Sequence, residues 1–257
     1  MRKNRLVDYS LCLLLVVLLT ACALPTNAPL DVLRYRADLN GTPKQRLFVF
    51  MRGMGGSHHS FEKEGLVDDV RARGLPFDMV APNAHFGYYS GRSLVDRLKA
   101  DVIDPAREQG YREIWLIGFS MGGLGSLLYR MEYPEDIAGV CLIAPFLGYG
   151  AITKEIAAAG GVRLWEPGTY DPDDDWQRML WHWLKTDIAD DPACNVQLGF
   201  GTQDTYRRGQ ELLSAVLPTD AVYTFDGGHD YPTFLALWRM FLDSNCYYTP
   251  AAAEAAP

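Results

Sequence analysis

Glu113-Ile114-Trp115-Leu116-Ile117-Gly118-Phe119-Ser120-Met121-Gly122 runs from an apolar segment directly into a serine framed by glycines. An apolar run of this length fits a strand buried on both faces of a parallel sheet. Leu124, Leu127, Leu128 and Met131 follow near helical spacing, so the serine falls between a strand and a helix. A side chain on so sharp a turn needs glycine on both sides, because a Cβ there meets the neighbouring strand or helix.

The surrounding chain repeats the alternation. Arg46–Met51, Phe77–Ala81, Ala138–Ala144, Val196–Gly201 and Ala221–Phe225 read as further strands, with residues 31–38 as an earlier one. Helical patterns lie between them, at Ser93–Gln109, Arg207–Leu217 and Tyr231–Leu242. Such alternation predicts an α/β fold with a doubly wound, mostly parallel sheet. Nearly fifty residues, 147–194, interrupt it between the fourth and fifth main strands. They hold Trp165, Trp176, Trp181 and Trp183 and the acidic run Asp171, Asp173, Asp174 and Asp175. A loop of that length carries structure of its own, and a small helical cap is expected. The domain is placed at residues 31–249, with the cap inserted and residues 250–257 as an Ala-rich tail.

Composition agrees with one folded domain. The 257 residues are 48% hydrophobic and 22% charged, which excludes a disordered chain. A net charge of −8 offers no basic surplus for a nucleic-acid backbone, so no nucleic-acid partner is expected.

Residues 1–21 read as an address. Arg2, Lys3 and Arg5 precede the apolar run Leu11–Leu19, which is too short to span a bilayer as a helix. The run ends in Leu19-Thr20-Ala21-Cys22, which resembles the bacterial lipobox. That resemblance implies cleavage before Cys22, its lipidation (palmitate and related acyl chains), and membrane attachment through residues 22–30 as a tether. Ala23 in place of Asp implies the outer membrane, with the domain facing the periplasm. Residues 1–21 carry a net +2, so cleavage deepens the charge to −10. Cys12 leaves with the signal. Cys141 reads as a buried thiol, and Cys194 and Cys246 form the candidate disulfide, a pairing that sequence leaves open.

The chemistry sits at strand ends. A serine hydroxyl needs a base, and the base an orienting acid. His229 follows the last strand in Phe225-Asp226-Gly227-Gly228-His229-Asp230, and Asp204 follows the preceding one in Gly201-Thr202-Gln203-Asp204. Parallel sheets present ligands at strand C-terminal ends. Asp226 and Asp230 are the nearest rival acids. The order Ser120, Asp204, His229 resembles the α/β-hydrolase superfamily, over about Arg46 to Leu242. The resemblance implies a nucleophile elbow at Gly118-Phe119-Ser120-Met121-Gly122 and a Ser120–His229–Asp204 triad. It also implies that Arg52-Gly53-Met54-Gly55-Gly56-Ser57 is the oxyanion loop, with the backbone N–H groups of Met54 and Met121 as donors. The family's usual histidine is replaced by Arg52, which is expected to hold the loop rather than meet an anionic substrate.

The other histidines carry less. His58 and His59 are expected as solvated loop residues, His85 in a packing or hydrogen-bonding role, and His182 within the cap. No histidine pair shows zinc spacing, the Asp171–Asp175 run lacks the register of a calcium loop, and no phosphate or dinucleotide loop appears. Neither metal nor organic cofactor is expected. The residues and the resemblance together imply a serine hydrolase of carboxylic esters, with a small, apolar acyl substrate. A non-catalytic hydrolase-fold envelope-binding protein and a cofactor-free perhydrolase or haloperoxidase are the rival readings.

Overall fold

The computed structural model describes residues 25–37, 45–189 and 195–248. Among the described residues, seven strands form one sheet: β1 (Val32–Tyr35), β2 (Arg46–Met51), β3 (Asp78–Pro82), β4 (Glu113–Phe119), β5 (Gly139–Ile143), β6 (Val196–Gly201) and β7 (Val222–Phe225). Their spatial order is β1-β3-β2-β4-β5-β6-β7. β1 runs antiparallel to β3, with Val32 opposite Pro82, and every other neighbouring pair is parallel. The sheet is therefore mostly parallel, as the alternation of apolar runs predicts.

The sheet separates two cores. Leu47, Val49 and Met51 face one side of β2, while Phe48 and Phe50 face the other. The first side is covered by the long helical segment Leu94–Glu108, the helix Met121–Glu132 and the inserted residues after β5. The second is covered by helices Leu66–Ala72 and Tyr231–Ser244. There Phe48 stacks on Phe77 at 3.9 Å, and Trp238 meets Phe48 and Phe50 edge-on. Leu94–Glu108 contains a wider π turn at Lys99–Ile103, which a simple 3.6-residue period does not reveal.

The insertion contains helix Gly150–Ala158 and helix Trp176–Trp183, the latter continuing as a π turn to Ile188. Its tryptophans divide. Trp165 and Trp181 are buried in the core, and the Trp181 indole donates to the Leu147 carbonyl at 2.8 Å. Arg178 clamps Glu155 with two hydrogen bonds of 2.7 and 2.9 Å and lies over the Trp165 ring. The acidic run is spent on local caps and on one long-range pair, Asp173 with Arg92. Asp171 accepts from the Asp173 backbone, and Asp175 caps the helix through the Arg178 N–H.

Among the described residues no helix is long and apolar enough to cross a membrane. The signal, Cys22 and the tail beyond residue 248 lie outside the described residues. Cys141 is a buried free thiol. Cys246 also carries a free thiol, and its candidate partner Cys194 lies outside the described residues. His58 differs from expectation. It is buried, with Nε2 3.1 Å from the Asp31 carboxylate, because the chain before β1 folds back over the loop after β2. Burial lowers its pKa from the ordinary histidine value.

Candidate active site

β4 passes into helix Met121–Glu132 with a single intervening residue, Ser120. Ser120 has φ 52° and ψ −115°, a conformation that costs about 1–3 kcal/mol for a residue with a Cβ. The surroundings hold it there. Its N–H donates to the Ile143 carbonyl at 3.0 Å, and its carbonyl accepts from the N–H groups of Gly123 and Phe146. The close approach also explains the glycines. A Cβ on Gly122 would lie 2.0 Å from the Met51 carbonyl oxygen, and one on Gly118 would lie 2.5 Å from that of Gly122. Both obstacles are backbone. Gly122→Ala is expected to destabilise the domain by more than about 4 kcal/mol in urea unfolding, or to prevent folding. Gly55→Ala, with nothing within 4 Å of the new Cβ, is the control and should shift stability by less than about 1 kcal/mol.

The three expected side chains meet. His229 Nε2 lies 2.9 Å from Ser120 Oγ, and His229 Nδ1 lies 2.7 Å from Asp204 Oδ2. Asp204 is fully buried at its side chain, whereas that of His229 is 21% exposed. The second Asp204 oxygen, Oδ1, accepts from the Tyr206 N–H at 2.7 Å. Tyr206 and Phe234 meet the imidazole edge-on, each at 5.0 Å, and fix the plane of the ring. The three residues follow β4, β6 and β7, so one edge of the sheet sets their spacing. The rival acids are engaged elsewhere. Asp226 accepts from Thr202 and Gln203, and Asp230 caps the last helix through the Thr233 N–H.

The glycine loop after β2 lies against the serine. A Cβ on Gly53 would come within 3.3 Å of Ser120 Cβ and 3.9 Å of its Oγ. The next residue, Met54, and Met121 border the same cavity. Met121 opens its helix, so its N–H belongs to the turn whose donors lack intrahelical acceptors. Arg52 spans the loop, donating to the Gly53 and Met54 carbonyls at 3.3 and 3.1 Å and to Asn83 Oδ1 at 2.7 Å. Its guanidinium thus ties the loop after β2 to the loop after β3. Arg52→Met is expected to lower kcat by roughly 10–100-fold with little change in KM, as loosened oxyanion donors would. Steady-state kinetics on one soluble ester checks this, and a defect confined to KM would count against it.

A cavity of about 620 Å³ opens beside Met54 and Met121. Tyr88, Leu94, Leu124 and Leu128 line it, together with Phe146 just before the insertion and Trp176 within it. The sequence did not single out Tyr89, which donates to the Met121 carbonyl at 3.0 Å and supports the elbow from behind. Burial pushes its hydroxyl well above the usual tyrosine range, so it stays a neutral donor. Its signal was the aromatic run Phe86-Gly87-Tyr88-Tyr89 beyond a strand end. His85 starts the helix Phe86–Ser90 by accepting from the Gly87 N–H, and His182 bonds Tyr170 within the insertion.

Comparison with curated protein sequences returns no match. Solved structures share the fold at low identity. Est1E from Butyrivibrio proteoclasticus superposes with TM-score 0.56 at 18% identity, covering 84% of this chain and 94% of its own. The monoacylglycerol lipase of Paleococcus ferrophilus gives 0.51 at 16%, covering 84% and 100%. S-formylglutathione hydrolase from Staphylococcus aureus gives 0.54 at 13%, covering 86% and 98%. The alpha/beta hydrolase fold family matches residues 46–249, and the chain belongs to that family.

Proposed function

We propose that the protein is a serine hydrolase that cleaves carboxylic esters through a covalent acyl-enzyme. The observation that carries this reading is the unbroken chain from Ser120 through His229 to buried Asp204, set beside an apolar cavity. Ser120 Oγ attacks the acyl carbon as its proton passes to His229 Nε2. Asp204 holds the Nδ1–H tautomer and balances the imidazolium charge. The N–H groups of Met54 and Met121 bind the oxyanion. The alcohol leaves with the proton from His229, and water, deprotonated by the same nitrogen, releases the acid and restores Ser120. No cofactor enters these steps.

The apolar cavity lining favours an uncharged acyl or aryl group. Est1E, one of the structures of similar fold, is known with ferulic acid bound, which agrees with an aryl acid as one occupant. The lipobox-like Leu19-Thr20-Ala21-Cys22 supports an envelope enzyme, lipid-anchored at Cys22 and facing the periplasm. A p-nitrophenyl ester series of increasing acyl length, run beside thioester and peptide substrates, tests the reading. Ester turnover should exceed the other two and rise with acyl length until the cavity is filled. A folded protein inert on every ester would instead favour a binding protein on a hydrolase fold.

A further inference from the structure

We propose that the mouth of the active-site cavity docks on a zwitterionic bilayer, so that the enzyme takes ester lipids from the leaflet holding its own anchor. This rests on the hydrolase and lipid-anchor readings above and adds an orientation and a substrate class to them.

The first observation is the rim. Met54 is 59% exposed, Tyr149 63% and Phe86 39%, and all three line the one cavity. Tyr149 continues through Phe146 to Tyr206 by edge-on ring contacts of 5.2 Å each. Large apolar side chains gathered around the opening of an apolar cavity leave a surface that gains by leaving water.

The second is where the tether sits. The Thr26 N–H donates to the Gly87 carbonyl at 3.1 Å, the Ser93 hydroxyl donates to the Thr26 carbonyl, and Tyr88 reaches the Pro29 carbonyl. Leu30 is buried, and its N–H donates to Asp101 at 2.7 Å. The chain leading back to Cys22 is thus strapped along residues 86–93, whose Phe86, Tyr88, Ser90 and Arg92 are cavity wall. Cys22 is four positions before Thr26, a reach of at most about 14 Å of extended chain from the strapped Thr26. A domain of this size is roughly 45 Å across, so an anchor placed without regard to the site would usually lie much farther away.

The third is charge. Arg92 pairs with Asp173 at 2.8 Å at the mouth, and Asp96 and Glu132 add negative charge to the lining. With no cationic surplus there, an uncharged or zwitterionic leaflet is favoured over an anionic one.

Trp176 reports docking. It lies half-buried on the cavity wall, while Trp183 is equally half-buried but away from that lining, and Trp115, Trp165, Trp181 and Trp238 are fully buried. The acylated full chain is placed in phosphatidylcholine vesicles with brominated acyl chains, beside Trp176→Phe and Trp183→Phe. A quenched component is expected in the wild type, lost in Trp176→Phe and kept in Trp183→Phe. Hydrogen exchange of the wild type on the same vesicles gives a reading free of substitution, with slowing expected at 53–56, 86–93 and 146–150. Quenching that survives Trp176→Phe, slowing confined to Leu66–Ala72 and Tyr231–Ser244, or a mature chain without an acyl group overturns the proposal. Fluorophosphonate labelling of the same samples separates the readings. Labelled but unquenched protein refutes the docking and leaves the hydrolase. Quenched but unlabelled protein leaves the docking face and refutes the hydrolase.

Discussion

Ser120→Ala is expected to lower kcat/KM for a p-nitrophenyl ester by about 10⁴-fold or more while leaving the fold in place. The lost atom is the proposed nucleophile, which lies 2.9 Å from His229 Nε2. The loss should appear in kcat, since the substitution removes the attacking atom and leaves the apolar cavity beside it unchanged. Stability should change by less than about 1 kcal/mol, because alanine keeps the Cβ that the φ of 52° already accommodates. A variant within tenfold of wild type would move the chemistry to another residue.

Asp204→Asn is the second large effect, with a loss of about 10⁴-fold in kcat. The geometry gives the reason. Asp204 Oδ1 accepts from the Tyr206 N–H, which can only donate. An asparagine must turn its carbonyl toward Tyr206, and its NH₂ then faces His229 Nδ1. The imidazole is driven to the tautomer with its proton on Nε2, where it points at Ser120 Oγ and cannot accept a proton. Asp226→Asn should cost less than about tenfold, since its carboxylate bonds Thr202 and Gln203 and not the imidazole. Parallel kinetics on the two variants checks this, and equal losses would refute the assignment of Asp204.

How much of this was legible depended on the range of the interaction. The elbow reads from local pattern, because Gly118 and Gly122 answer to backbone within a few ångströms of Ser120. Asp204 and His229 read from their places just beyond apolar runs. The strand order did not read, since the placing of β3 between β1 and β2 depends on how the crossing segments pack. Nor did the division of the tryptophans, for Trp176 and Trp181 share one short helix and only its rotation sends one to the cavity and the other to the core. His58 looked solvated in a polar loop, and the fold-back that brings Asp31 over it is a contact across 27 positions. Arg52 marked a departure from the family pattern, and its bonds to Met54 and Asn83 supply the reason that position tolerates it.

The central claim is that Ser120 forms a covalent acyl-enzyme with His229 and Asp204 behind it. Intact-mass analysis after brief exposure to a fluorophosphonate, followed by peptide mapping, tests it most directly. The account predicts one adduct per chain, on Ser120, absent from Ser120→Ala and greatly slowed in Asp204→Asn. A folded protein that takes no adduct, or takes it at another residue, would contradict it.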